Sequence, residues 1–119
     1  MLKCERYDFT GLNTPKAVTA AFINSLTFAF AEITGRSYGG GVLELEPNEA
    51  EVLRLPLKNA QNLDFDLIHR LIVQGRIEDG LKITDQELLI EGQGLNRSEV
   101  AKLRGIWCKL RDRRIYRCE

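Results

Sequence analysis

The sequence predicts a mainly helical α+β fold, with about four helices and a short strand or hairpin after a glycine-rich loop. Three observations predict it. Apolar residues recur at three- and four-residue spacing in several segments, the widest stripe lying between Pro15 and Thr34. Good helix start signals stand before the later segments, above all Asn96 with Glu99 three residues on. Between these helical patterns lies Gly39-Gly40-Gly41, which no helix carries cheaply, followed by the β-like run Val42–Glu46. At 119 residues the chain has the length of one domain, and residues 1–119 are read as a single unit.

Residues 1–13 show no clear period, although Tyr7 and Phe9 alternate with polar residues as in a short strand, closed by Gly11 and Asn13. Thr14 then suits an N-cap and Pro15 the first helical position, where its missing N–H costs nothing. Val18, Phe22, Leu26, Ala29 and Ile33, widened by Ile23 and Phe30, predict one buried helix over 15–34. Lys16, Asn24, Ser25, Thr27 and Glu32 make it a poor membrane span, and Gly35 is the expected C′ residue. Val42–Glu46 is read as a strand bounded by Pro47. Asn48 caps a short acidic turn, and Leu55-Pro56-Leu57 ends it.

The second half is helical. Phe65, Ile68, Leu71 and Ile72 form a stripe between Asp64 and Gly75. A further element covers about Ile77–Glu91, in which Thr84-Asp85-Gln86-Glu87 has capping-box spacing, and Gly92 and Gly94 break it. In the last helix Leu95 and Val100 hold the two staple positions, and Val100, Leu103, Trp107 and Leu110 are the inward stripe.

Seventeen basic and seventeen acidic residues give a net charge of zero, which excludes a histone-like binder but not binding through one face. The charge is unevenly spread. From Arg97 onward eight bases face three acids, whereas from Glu32 to Glu91 twelve acids face six bases. On a helical wheel Lys102, Lys109 and Arg113 fall within about 40° of one another. Such a stripe can neutralise phosphates, and cations near a helix C-terminus are also favoured by the macrodipole alone. Cys4, Cys108 and Cys118 are odd in number and widely spaced, and with His69 they match no zinc spacing. They are read as reduced thiols, which with no secretory signal visible points to the cytoplasm.

The segment Arg36-Ser37-Tyr38-Gly39-Gly40-Gly41 asks for a special explanation. Glycines allow close approach of a ligand or another backbone, Arg36 offers a fork for guanine or phosphate, Ser37 a hydroxyl and Tyr38 a stacking face. It is neither a Walker A loop nor a dinucleotide fingerprint, because it leaves a helix instead of opening one. A plain helix-to-strand connection accounts for it equally well.

Ile23-Asn24-Ser25-Leu26, then Gly35 through Pro47, then Leu55-Pro56-Leu57 resemble the C-terminal region of bacterial adenine-specific N6 DNA methyltransferases of the TaqI-like restriction–modification family. The match is most specific over residues 22–57. The resemblance implies a target-recognition part of a larger enzyme whose catalytic domain lies elsewhere. Family members bind S-adenosylmethionine through a Phe-x-Gly-x-Gly type motif and hold adenine with an Asn-Pro-Pro-Tyr type motif. Neither occurs here: Pro15, Pro47 and Pro56 are isolated, and no Phe stands two residues before Gly39 or Gly92. A doubly wound cofactor domain would not fit beside this one in 119 residues. No catalytic and no metal-binding residue is therefore assigned.

The leading expectation is a DNA-recognition module of such a methyltransferase, with Arg36, Ser37, Tyr38, Gly39, Gly40, Gly41, Lys102, Lys109 and Arg113 on the DNA side. Its partners would be double-stranded DNA and the catalytic domain, with S-adenosylmethionine bound by the latter and no membrane involved. The alternative is a helical protein-docking domain without nucleic-acid contact, consistent with the neutral total and the acidic middle. A stand-alone enzyme is the weakest reading, since His69 has no nucleophile at motif spacing.

Overall fold

Between Pro15 and Thr34 the chain forms two helices, not the single one its apolar stripe predicts. The computed structural model describes residues 14–38 and 42–116, and the expected strand at Tyr7 and Phe9 lies outside them, as does its Gly11–Asn13 turn. Helix α1 (Pro15–Ala21) starts as expected, with the Thr14 hydroxyl accepting from the Ala17 N–H at 3.2 Å. Helix α2 (Ser25–Thr34) follows at an angle of 66°. The cause is Asn24. Its side-chain oxygen accepts from the Thr27 N–H at 2.8 Å, and its amide donates to the Ala21 carbonyl at 2.6 Å and to Thr27 Oγ1 at 2.9 Å. One fully buried side chain thus closes α1 and caps α2. Among the described residues no single helix is long and apolar enough to cross a membrane.

Gly35 ends α2, but with extended backbone (φ −78°, ψ −179°) instead of the left-handed turn expected of a C′ glycine. Its need for glycine is steric. A Cβ there would stand 2.8 Å from the Ala31 carbonyl, 2.9 Å from Leu43 Cδ1 and 3.0 Å from the Glu44 carbonyl. The chain folds back on itself at this point. Strands β1 (Arg36–Tyr38) and β2 (Val42–Glu44) pair antiparallel, with Arg36 opposite Glu44, Ser37 opposite Leu43 and Tyr38 opposite Val42. The expected strand after the glycines is therefore present as half of a hairpin.

Helix α3 (Pro47–Glu51) starts one residue before the expected Asn48 cap. Pro47 takes the first helical position, and the Glu49 carboxylate accepts from the Glu46 N–H at 2.8 Å. Leu55, Pro56 and Leu57 then run buried through the interior, held where Thr27 Oγ1 donates to the Arg54 carbonyl at 2.6 Å. After a 3₁₀ turn at Ala60–Asn62 comes α4 (Phe65–Val73), with Asp64 accepting from the Leu67 N–H at 3.1 Å and Ile68 and Leu71 turned inward. His69 is exposed and stacks on Phe65.

The second correction concerns the capping-box spacing at Thr84–Glu87. No helix starts there. Helix α5 (Ile77–Thr84) continues without interruption into a π-helical stretch, Asp85–Gly92. Thr84 Oγ1 bonds back to the Leu81 carbonyl at 3.3 Å, and Asp85 is committed to distant partners. Gly92 closes the stretch where a Cβ would meet the Lys58 carbonyl at 2.9 Å. The last helix, α6 (Arg97–Tyr116), begins as predicted: the Asn96 side chain accepts from the Glu99 N–H at 2.8 Å, and the Glu99 carboxylate from the Asn96 N–H at 3.1 Å.

Two apolar clusters hold these elements. One gathers Ala17, Val18, Ala21, Leu55, Leu57, Ala60 and Leu88 under α1. The other joins Ala29, Leu81 and Trp107 between α2, α5 and α6, with Phe28 against Trp107 at 5.2 Å between ring centroids. The result is the mainly helical fold with one short hairpin that the sequence predicts.

Candidate nucleic-acid interface

Helix α6 carries seven of the seventeen basic residues, and its packing decides which of them can meet a ligand. It runs beside α2 in the same direction, since Ser25 meets Arg104 near one end and Glu32 meets Arg114 near the other. Trp107 and Val100 are buried, and Leu103 and Leu110 are half-buried, close to the predicted inward stripe.

Several arginines of this helix belong to the interior. The Arg114 guanidinium donates to both Glu32 oxygens, at 2.6 and 3.2 Å, and the Glu32 side chain is only 4% exposed. Arg104 donates to Asp85 Oδ2 at 2.7 Å, and that aspartate side chain is 2% exposed. Asp85 also accepts from the Ser25 N–H at 2.7 Å and from the Ser25 hydroxyl. The start of α2, the start of the π-helical stretch and the middle of α6 are thereby tied through one carboxylate. Arg111 lies over the Trp107 ring at 4.6 Å and pairs with Asp112 at 3.0 Å.

Lys102, Lys109 and Arg113 behave differently. All three are exposed, and none forms an ion pair with another described residue. They lie along one face of α6 over about 16 Å, at 1.5 Å per residue. Ile106 and Tyr116, 42% and 66% exposed, share that face. The stripe expected from the helical wheel is therefore assembled by the fold.

Of the predicted loop residues, the backbone of Arg36, Ser37 and Tyr38 forms β1, while Gly39, Gly40 and Gly41 lie outside the described residues. Strand β2 passes close to α6, so the hairpin and the basic helix are neighbours.

Sequence reasoning missed Ser25, Asp85, Arg104, Glu32 and Arg114 as a set. A signal existed. Glu32 sits in the most apolar segment and Asp85 between stretches that must pack, positions where a carboxylate needs a buried partner. Counting all C-terminal bases as one positive field overlooked that two of them neutralise those acids.

The described residues thus form a small helical domain with a basic helix face. Sequence comparison sharpens this: residues 6–89 match the family described as type II methyltransferase M.Eco57I, C-terminal domain. That match spans well over half of the chain, and the protein belongs to this family. It is a C-terminal domain of the kind found in type II restriction–modification methyltransferases. No curated protein matches the chain, and no solved structure does.

S-adenosylmethionine is the cofactor the family resemblance implies, and the cleft beside α6 does not suit it. The open cleft beside α6 is lined by Lys82, Arg97 and Arg104, whose charges oppose a sulfonium cation.

Proposed function

We propose that this chain is the DNA-contacting part of an adenine-specific, S-adenosylmethionine-dependent DNA methyltransferase. Cofactor and methyl transfer belong, on this reading, to a catalytic domain that is its partner in the cytoplasm, alongside double-stranded DNA. The observation that carries it is the sorting of cations on α6. Arg104 and Arg114 are anchored to buried carboxylates, while Lys102, Lys109 and Arg113 face outward in a row. A row of exposed cations supplies phosphate contacts that fix register without reading sequence. Base reading falls to the hairpin, with Arg36 and Tyr38 as candidates and Ser37 and Gly39–Gly41 shaping the approach. Extruding an adenine costs a few kcal/mol, so a firm hold on flanking DNA is what such an enzyme needs from its accessory domain.

Anisotropy of a labelled duplex at about 50 and 200 mM salt tests the reading, because phosphate contacts make affinity fall steeply over that range. Absence of binding at the lower salt would refute it. If Arg36 reads a guanine, Arg36→Ala costs about 1–3 kcal/mol at one base position only. An equal loss on every sequence would remove Arg36 from that role.

A second reading, docking to another protein without DNA contact, is favoured by Ile33, Val42 and Val52, which are 66%, 53% and 50% exposed. Exposed apolar surface of this kind promotes association, so concentration-dependent elution on size exclusion together with no DNA binding would select it.

A further inference from the structure

An open cleft of about 260 Å³ lies between the α5–π segment and the first turns of α6. Lys82, Asp85, Gln86, Arg97 and Arg104 supply its polar lining, over an apolar floor that includes Ile90 and Val100. Three cations thus face one carboxylate, and that carboxylate is already spent. Both Asp85 oxygens accept hydrogen bonds, from Ser25 and from Arg104 itself. Arg104 is consequently held in place, 27% exposed, with only part of its five-donor fork engaged. Arg97 is exposed, and Lys82 has only a loose surface contact with Asp79 at 3.9 Å. A pre-positioned guanidinium flanked by two exposed cations is suited to a phosphate oxygen.

We propose that this cleft binds one phosphodiester group of a nucleic-acid strand, with Arg104 as the fixed donor and Arg97 and Lys82 closing on the same group. The proposal rests on the reading of the chain as a DNA-contacting domain, but it concerns a different surface. By helical geometry Arg97 and Arg104 lie about 150° around α6 from the Lys102–Lys109–Arg113 row. The two surfaces share no residue, so their contributions to binding add.

The test uses the whole chain with Lys82→Ala and Arg97→Ala combined, both exposed, in preference to Arg104, whose loss would strand Asp85 in the interior. An unchanged urea midpoint establishes that the variant is folded. In duplex anisotropy the slope of log K against log salt should fall by about 1, equivalent to one phosphate contact, and that loss should add to the loss from replacing the row. Inorganic phosphate should shift the amide resonances of Arg97 and Arg104 in the parent chain and not in the variant. An unchanged slope in the variant, with binding still lost on replacing the row, would overturn the cleft and leave the domain reading standing. No DNA binding by the parent chain would overturn both. Resonance shifts by phosphate with an unchanged DNA slope would show a site for small phosphates and would also overturn the proposal.

Discussion

The two sides of helix α6 carry the same kinds of residue to opposite ends. On the side facing α2, Arg104 and Arg114 sit at 27% and 17% side-chain exposure against carboxylates that are almost fully buried. On the other, Lys102, Lys109 and Arg113 stand in water. Buried, a cation is part of the structure, because its carboxylate would otherwise be stranded without solvent. Exposed, it contributes almost nothing to folding and is available to a phosphate. Charge along the sequence therefore overstates the positive field of this helix, and only the fold shows which cations remain.

The difference can be broken most forcefully from the inside. Arg104→Ala removes the only cation in direct contact with the buried Asp85 among the described residues and should cost about 3–5 kcal/mol in urea unfolding. A cost below about 1 kcal/mol would mean that the pair is of the weak surface type. Arg114→Ala does the same to Glu32 and should fall in the same range, the slightly more open Arg104 being the milder of the two if water enters.

Asn24→Ala removes the cap of α2 and the bond that closes α1, and should destabilise by about 1–3 kcal/mol. Gly35→Ala is expected to cost a similar amount, about 1–3 kcal/mol, because its methyl group would press on two carbonyls and Leu43. Differential scanning calorimetry measures both, and a neutral Gly35→Ala would show that the hairpin gives way freely.

At the small end, replacing Lys102, Lys109 and Arg113 by alanine should leave stability within about 0.5 kcal/mol. A large loss would place these side chains on the inside of the comparison.

Much of this arrangement was legible in the sequence. The α6 capping box, the stripe Ile68–Leu71 and the strand after the triple glycine all rest on local rules, which need only neighbouring residues. The departures have one physical origin in common, side chains with distant or buried partners. Asn24 reads as a polar interruption in a helix until its bonds to Ala21 and Thr27 divide that helix in two. Thr84-Asp85-Gln86-Glu87 has the spacing of a cap, yet Asp85 answers to Ser25 and Arg104, sixty and nineteen residues away. Gly35 does end the helix, but not through the left-handed backbone expected of a C′ glycine: the fold requires it for the space that Leu43 and Glu44 occupy. Of the candidate interface, the helical wheel located the outward row, and it also sets Arg114 between Leu103 and Trp107 on the inward stripe, but only the fold supplies the buried Glu32 that it meets there.

The most direct test of the account is the salt dependence of duplex binding by the chain with Lys102, Lys109 and Arg113 all replaced by alanine. The slope of log K against log salt should be shallower than the parent's by about 2.7, three phosphate contacts at about 0.9 each, with the urea midpoint unmoved. A variant that binds DNA with the parent's slope would contradict the assignment of this face to DNA.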